Sequence, residues 1–131
     1  MDRIFVVDGD QLPKLTSPIS HAVAAGNICY LSGQLSVDAA GTYVEDSPRE
    51  EAARAFRNLF SAVRAAGFSE EDIVFIDIAF ADLADLREVN ALYAELFEEG
   101  KRPARTISQV AFLPFGGKVK VMGVAIRGKS I

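Results

Sequence analysis

The sequence predicts an α+β fold in which a mixed β-sheet carries two helices packed on one face. Three observations predict it: the order of segments (strands, helix, strand, helix, strands), two amphipathic stretches with start and stop signals, and one strand with a wholly apolar face. The first strands are expected at residues 4–7, 21–25 and 27–32, where apolar and β-branched residues cluster between turn residues. Gly26-Asn27 reads as a hairpin turn between two of them, and residues 38–42 as a second turn. Ser47 before Pro48, with Glu50 and Glu51 in the first turn, then starts a helix: the serine caps orphan amides and the carboxylates oppose the dipole. Ala52, Phe56, Leu59, Phe60 and Val63 recur at helical spacing, and Gly67 closes the segment. In the strand at 73–80, Val74, Ile76, Ile78 and Phe80 form one face, while Ile73, Phe75, Asp77 and Ala79 form another that is too apolar for open water. That second face predicts subunits packing sheet to sheet. A second helix over 85–99 carries Leu86, Val89, Tyr93, Leu96 and Phe97 as its stripe, with Asn90 at the edge and Gly100 after it. Strands at 107–113 and 119–126 complete the chain, and Phe115-Gly116-Gly117 reads as a hairpin turn before the last.

The chain has 131 residues, enough for one domain (1–131) with a sizeable core, and half of them are hydrophobic without an apolar run long enough to span a membrane. Asp2 follows the first methionine and no signal-like stretch comes after it, so a cytoplasmic location is expected. Cys29, the single cysteine, excludes an intrachain disulfide and reads as an inert core thiol. The net charge of -4 with scattered Lys and Arg argues against nucleic acid, which requires a basic stripe. His21 is the only histidine and has no ligand spacing to Cys29, so no metal and no cofactor are expected. His21 reads as a structural or rim histidine, and the Glu70-Glu71 and Glu98-Glu99 pairs as solvated.

Arg105 stands in Lys101-Arg102-Pro103-Ala104-Arg105-Thr106, at the entrance to an apolar stretch. Its guanidinium stays charged and offers a planar fork matched to a carboxylate. Lys101 and Arg102 beside it leave open the alternative of a solvated basic loop.

Over nearly its whole length the chain resembles the RidA family, also called the YjgF family. The resemblance is carried by Ser17-Pro18-Ile19-Ser20-His21-Ala22-Val23, Leu31-Ser32-Gly33-Gln34, Asn58-Leu59, Ala65-Ala66-Gly67, Val89-Asn90-Ala91-Leu92-Tyr93, and Pro103-Ala104-Arg105-Thr106 with Val110-Ala111 and Leu113-Pro114. It implies a chorismate-mutase-like fold and a homotrimer with sites in clefts between subunits. It also implies that Arg105 grips the carboxylate of a small 2-imino or enamine acid, which water hydrolyses to a 2-keto acid and ammonia. By the same resemblance Ser32 and Gly33 line the cleft, where a glycine permits close approach, and Asn90 and Tyr93 shape its wall. From the residues alone, Ser32-Gly33 is equally a strand end or bulge, and Asn90 and Tyr93 a helix edge.

The departures matter as much. Imine deaminases of this family carry a water-activating glutamate on the last strand, and the matching position here is Lys120. Ile107 stands where a cysteine is expected, Ile19 where a tyrosine is, and Gln109 where an acidic residue is common. Alternation along the last strand puts Lys118, Lys120, Met122, Val124 and Ile126 on one face. If Lys120 shares the cleft with Arg105, the site is cationic and suits a dicarboxylate or an unsaturated amino-diacid. Beside another cation, burial would instead favour a neutral amine able to act as a base; a solvated lysine pair is the third reading. Phe115 could also bring an aromatic ring to the cleft mouth. Two function classes follow: a deaminase-like hydrolase, or a protein that binds a small carboxylate as sensor or carrier. Ribonuclease or translation inhibition, also attached to the family, sits poorly with the acidic balance.

Overall fold

The computed structural model describes residues 2–128. Strands β1 (Arg3–Val6), β2 (Ala22–Ala25) and β3 (Ile28–Gln34) precede helix α1 (Pro48–Ala65). Strand β4 (Ile73–Phe80), helix α2 (Leu86–Leu96), and strands β5 (Ala104–Gln109) and β6 (Val119–Ile126) follow. They form one six-stranded sheet in the order β1-β2-β3-β6-β4-β5. All neighbours are antiparallel except β4 and β5, which run parallel because α2 carries the chain back between them.

Helix α1 begins where its residues say it should, with the Ser47 side chain accepting from the Glu50 amide at 3.2 Å. It ends in a left-handed turn at Gly67, φ +88°, where the Gly67 amide donates to the Arg64 carbonyl and the Phe68 amide to that of Val63. This paired closure satisfies two carbonyls that the helix would otherwise leave orphaned. Both helices cover the same face of the sheet. Phe56, Leu59 and Val63 of α1 and Val89 of α2 are buried against Ile76, Ile78, Phe80, Val119 and Val121. Each such side chain stabilises the fold by about 1.5–3 kcal/mol.

The sequence-based expectations require four corrections here. Helix α2 stops at Leu96 rather than 99, because Phe97 turns out of the helix (φ -121°, ψ 131°) to place its ring against Tyr93, Phe56 and Phe60. Arg102 then caps the freed carbonyls of Ala94 and Phe97. Strand β5 begins at Ala104 and ends at Gln109 rather than covering 107–113, because the parallel ladder with β4 runs from Phe75↔Ala104 to Phe80↔Gln109. Ladder bonds use the backbone alone, so polar side chains at an edge do not stop them. The segment 115–117 is no hairpin turn: β4 lies between β5 and β6, and the chain passes through two successive hydrogen-bonded turns, Gly116 amide to Leu113 carbonyl and Gly117 amide to Pro114 carbonyl, with Phe115 and Gly116 left-handed. In β4 a register shift between Ile73 and Phe75 buries Ile73 and turns Val74 outward, so the apolar face is Ile73, Ile76, Ile78 and Phe80.

Among the described residues no helix covers the opposite face of the sheet; only its edge at Ala79 is buried, beneath Leu35 and Leu113. A row of side chains runs across five strands, Phe5↔Val23↔Tyr30↔Val124↔Phe75, and within it Phe5 is 59% and Tyr30 64% exposed.

Candidate functional site

The predicted residues fall into two groups on opposite faces of the sheet. In β5, alternation sends Arg105 and Ile107 toward α2. Asn90 and Tyr93, one turn apart on α2, meet Arg105 there. The Arg105 guanidinium donates to Asn90 Oδ1 at 2.8 Å and lies 4.6 Å from the centre of the Tyr93 ring. Ring and amide together fix the plane of the fork, which a loop would leave free. Among the described residues the guanidinium has no acidic partner. With Ala94, Arg102 and Pro103 these three residues line a pocket of about 370 Å³. The Tyr93 hydroxyl is buried and, among the described residues, without a hydrogen-bond partner. Burial raises its pKa, against the opposing pull of Arg105 and Arg102.

Ile107 and Gln109 stand apart from this pocket. Ile107 packs on the main core, and the Gln109 side chain accepts from the Leu83 amide at 2.8 Å, tying the end of β5 to the turn after β4.

The second group occupies the open face. Lys120 pairs across the ladder with Ala79, which pairs with Ser108, and Ser108 has the opposite orientation in β5 to Arg105. Within one chain, then, Lys120 does not share a pocket with Arg105. It lines a cleft of about 320 Å³ with Gly33, Ile19, Thr16 and Phe115. The β3–β6 register shifts between Leu31 and Gln34, so Ser32 and Gly33 form a bulge. A Cβ on Gly33 would sit 2.9 Å from Lys120 Cδ, so the glycine gives the lysine stem its path across β3. Ser32 turns its hydroxyl back to the Ser20 carbonyl. His21 is buried at the cleft floor with both ring nitrogens engaged, by the Pro13 carbonyl at 2.8 Å and the Gln34 amide at 3.1 Å. Cys29 lies in the core, and burial pushes its thiol pKa up to about 11.

The pairing of the two lysines is also corrected. Lys118 is bonded into the fold rather than free: its Nζ donates to the Asp46 carbonyl at 2.7 Å and to Glu51 Oε2 at 3.2 Å, and its amide donates to Glu51 Oε1 at 3.1 Å. Glu51 is completely buried and also accepts from the Tyr43 hydroxyl at 2.6 Å and the Asp46 amide at 3.1 Å. Burial alone would raise its pKa, but these hydrogen bonds outweigh it and hold the carboxyl below its ordinary value. From its place in the sequence Glu51 reads only as a first-turn acid. The signal was its spacing, since Glu51, Ala55, Leu59 and Ala62 follow one buried stripe.

Six strands in this order beneath two helices define an α+β protein of the L-PSP type, and the family model described as Endoribonuclease L-PSP matches residues 9–127. The chain is 35% identical over 127 residues to the 2-iminobutanoate/2-iminopropanoate deaminase of Mus musculus, covering 96% of this chain and 93% of that protein. The solved YjgF gene product of E. coli superposes with a TM-score of 0.84 at 31% identity, covering 94% of this chain and 98% of that one. E. coli TdcF with bound serine gives 0.84 at 28%, covering 94% and 98%. The chain belongs to the RidA family.

Proposed function

We propose that the protein is a hydrolase of small 2-imino and enamine acids. Arg105 receives the carboxylate on its free edge, water adds to the imine carbon, and collapse of that adduct gives a 2-oxo acid and ammonia. Such imines hydrolyse in water unaided, so orientation of the acid and of one water accounts for much of the effect. The observation that carries the reading is the Arg105 fork, oriented by Asn90 and Tyr93 and left without an acid of its own. The names of the deaminase relatives and the serine in TdcF support the same chemical class.

The two half-sites, one on each face of the sheet, support a site completed between subunits. The exposed row from Phe5 to Phe75 supplies an apolar surface for that contact, and the reading takes the assembly as a homotrimer. Ser32, Gly33, Ile19 and Lys120 of one subunit would then close the pocket in which Arg105 of the next holds the substrate.

Ammonia release from an imino acid generated in situ by an amino-acid oxidase tests the activity. Arg105→Ala is expected to lower kcat/KM by about 100-fold or more, the loss of two charge-assisted hydrogen bonds. A second reading, a carboxylate sensor or carrier, is favoured by one observation: among the described residues no Asp or Glu lines either pocket. Carboxylate binding that Arg105→Ala abolishes, with no Arg105-dependent turnover on any imino acid, would establish it in place of the hydrolase.

A further inference from the structure

Lys118 and Lys120 stand two residues apart at the start of the last strand and have opposite fates. Lys118 is consumed by the fold, through Glu51 and the Asp46 carbonyl. Lys120 has no hydrogen-bonding or acidic partner among the described residues, and its stem is led across Gly33 into the cleft rather than out to water. A lysine on an open surface needs no partner. A half-buried one, in a cleft whose other charged lining residue among the described residues is Lys14, gives the cleft a positive potential. His21, at the floor of the cleft, has both ring nitrogens engaged by the Pro13 carbonyl and the Gln34 side chain.

The wall of this cleft is built with equal specificity. Phe115 has φ +64°, a conformation unfavourable to residues with a side chain, and it lines the cleft while remaining 56% exposed. What holds it is Tyr43, whose ring is stacked on it at 6.1 Å and 13°, and whose hydroxyl is bonded to Glu51. Burial, with Glu51 beside it, raises the Tyr43 pKa and keeps that hydroxyl a donor. Thus one buried carboxylate binds Lys118 and braces the aromatic wall, while Lys120 is left to the cleft.

We infer that the cleft over Gly33 is a second anion subsite, in which Lys120 receives a further acidic group of the substrate and Phe115 flanks the planar chain between the two acids. The substrate class is thereby an imino or enamine acid with a second carboxylate. This rests on the proposed function, in which Arg105 of the adjoining subunit anchors the first carboxylate across the subunit boundary.

Titration calorimetry with 2-oxobutanoate and 2-oxoglutarate, product-like probes with one and two carboxylates, tests it. The wild-type protein is expected to bind the diacid about tenfold more tightly, Lys120→Gln to reduce that ratio about tenfold, and Lys120→Glu to reverse the preference. A wild-type ratio near one, or a ratio that Lys120→Gln leaves unchanged, overturns the subsite. Arg105→Ala separates the two ideas, since it weakens both probes if the anchor is correct, whatever Lys120 does.

Discussion

The two halves of the site differ in how their cations are held. Arg105 on β5 is fixed by an amide on one side and a ring on another, so its direction is set before any ligand arrives. Lys120 on β6 is guided by the gap at Gly33 but bonded to nothing among the described residues. Lys118 supplies the control: a similar side chain on the same segment, held by Glu51, contributes to the fold alone. A cation tied by its own protein either anchors or braces, whereas one left untied is available to discriminate between ligands.

The most severe way to break this contrast is to untie Lys118. Glu51→Ala should destabilise the protein by about 3 kcal/mol, read from urea unfolding, because it strands a lysine, a tyrosine hydroxyl and two amides together. The same carboxylate gives a pH signature. Its folded pKa lies below the unfolded value, so its contribution is present above the ordinary carboxylate range and is lost as pH falls through the folded value. Wild-type stability should therefore fall below about pH 4, and Glu51→Gln should flatten that acid limb. Next in size is Arg105→Lys. It keeps the charge but loses the planar fork, and should lower kcat/KM for imine hydrolysis by about 10- to 100-fold in the ammonia assay. An unchanged rate would mean that charge, not direction, matters on the β5 side. Gly33→Ala is expected to be the mildest: its new methyl meets the flexible Lys120 stem rather than backbone, so stability changes by less than about 1 kcal/mol. Yet the displaced lysine should cut the diacid-to-monoacid ratio about threefold in calorimetry.

Much of the molecule was legible because its cues are local. Ser47-Pro48 and Gly67 set the ends of α1, and alternation placed Lys120 and Met122 on the face opposite Val119 and Val121. Arg105 stands out by its own setting and chemistry, Asn90 and Tyr93 by resemblance, and the structure brings these three together. What escaped was set by distant parts of the chain. The start of β5 depends on its ladder with β4, and the end of α2 on where the Phe97 ring can be buried. The separation of Arg105 from Lys120 depends on the register across β4, which pairs Lys120 through Ala79 with Ser108 and so leaves Arg105 on the other face; parity within each strand does not reveal this. Glu51 was visible in its spacing but reads as a surface acid until Tyr43 and Lys118 arrive from elsewhere.

Strand β5 is also the last strand of the sheet, with one side of its backbone facing no neighbour among the described residues. Such an edge recruits further strands unless its side chains discourage them. The sequence Ala104-Arg105-Thr106-Ile107-Ser108-Gln109 has a single large apolar residue, and that residue points into the core. The polarity that equips β5 to hold an acid therefore also protects the chain from edge-to-edge aggregation. Apolar replacements there would carry a cost in solubility quite separate from any loss of activity, visible as light scattering on storage.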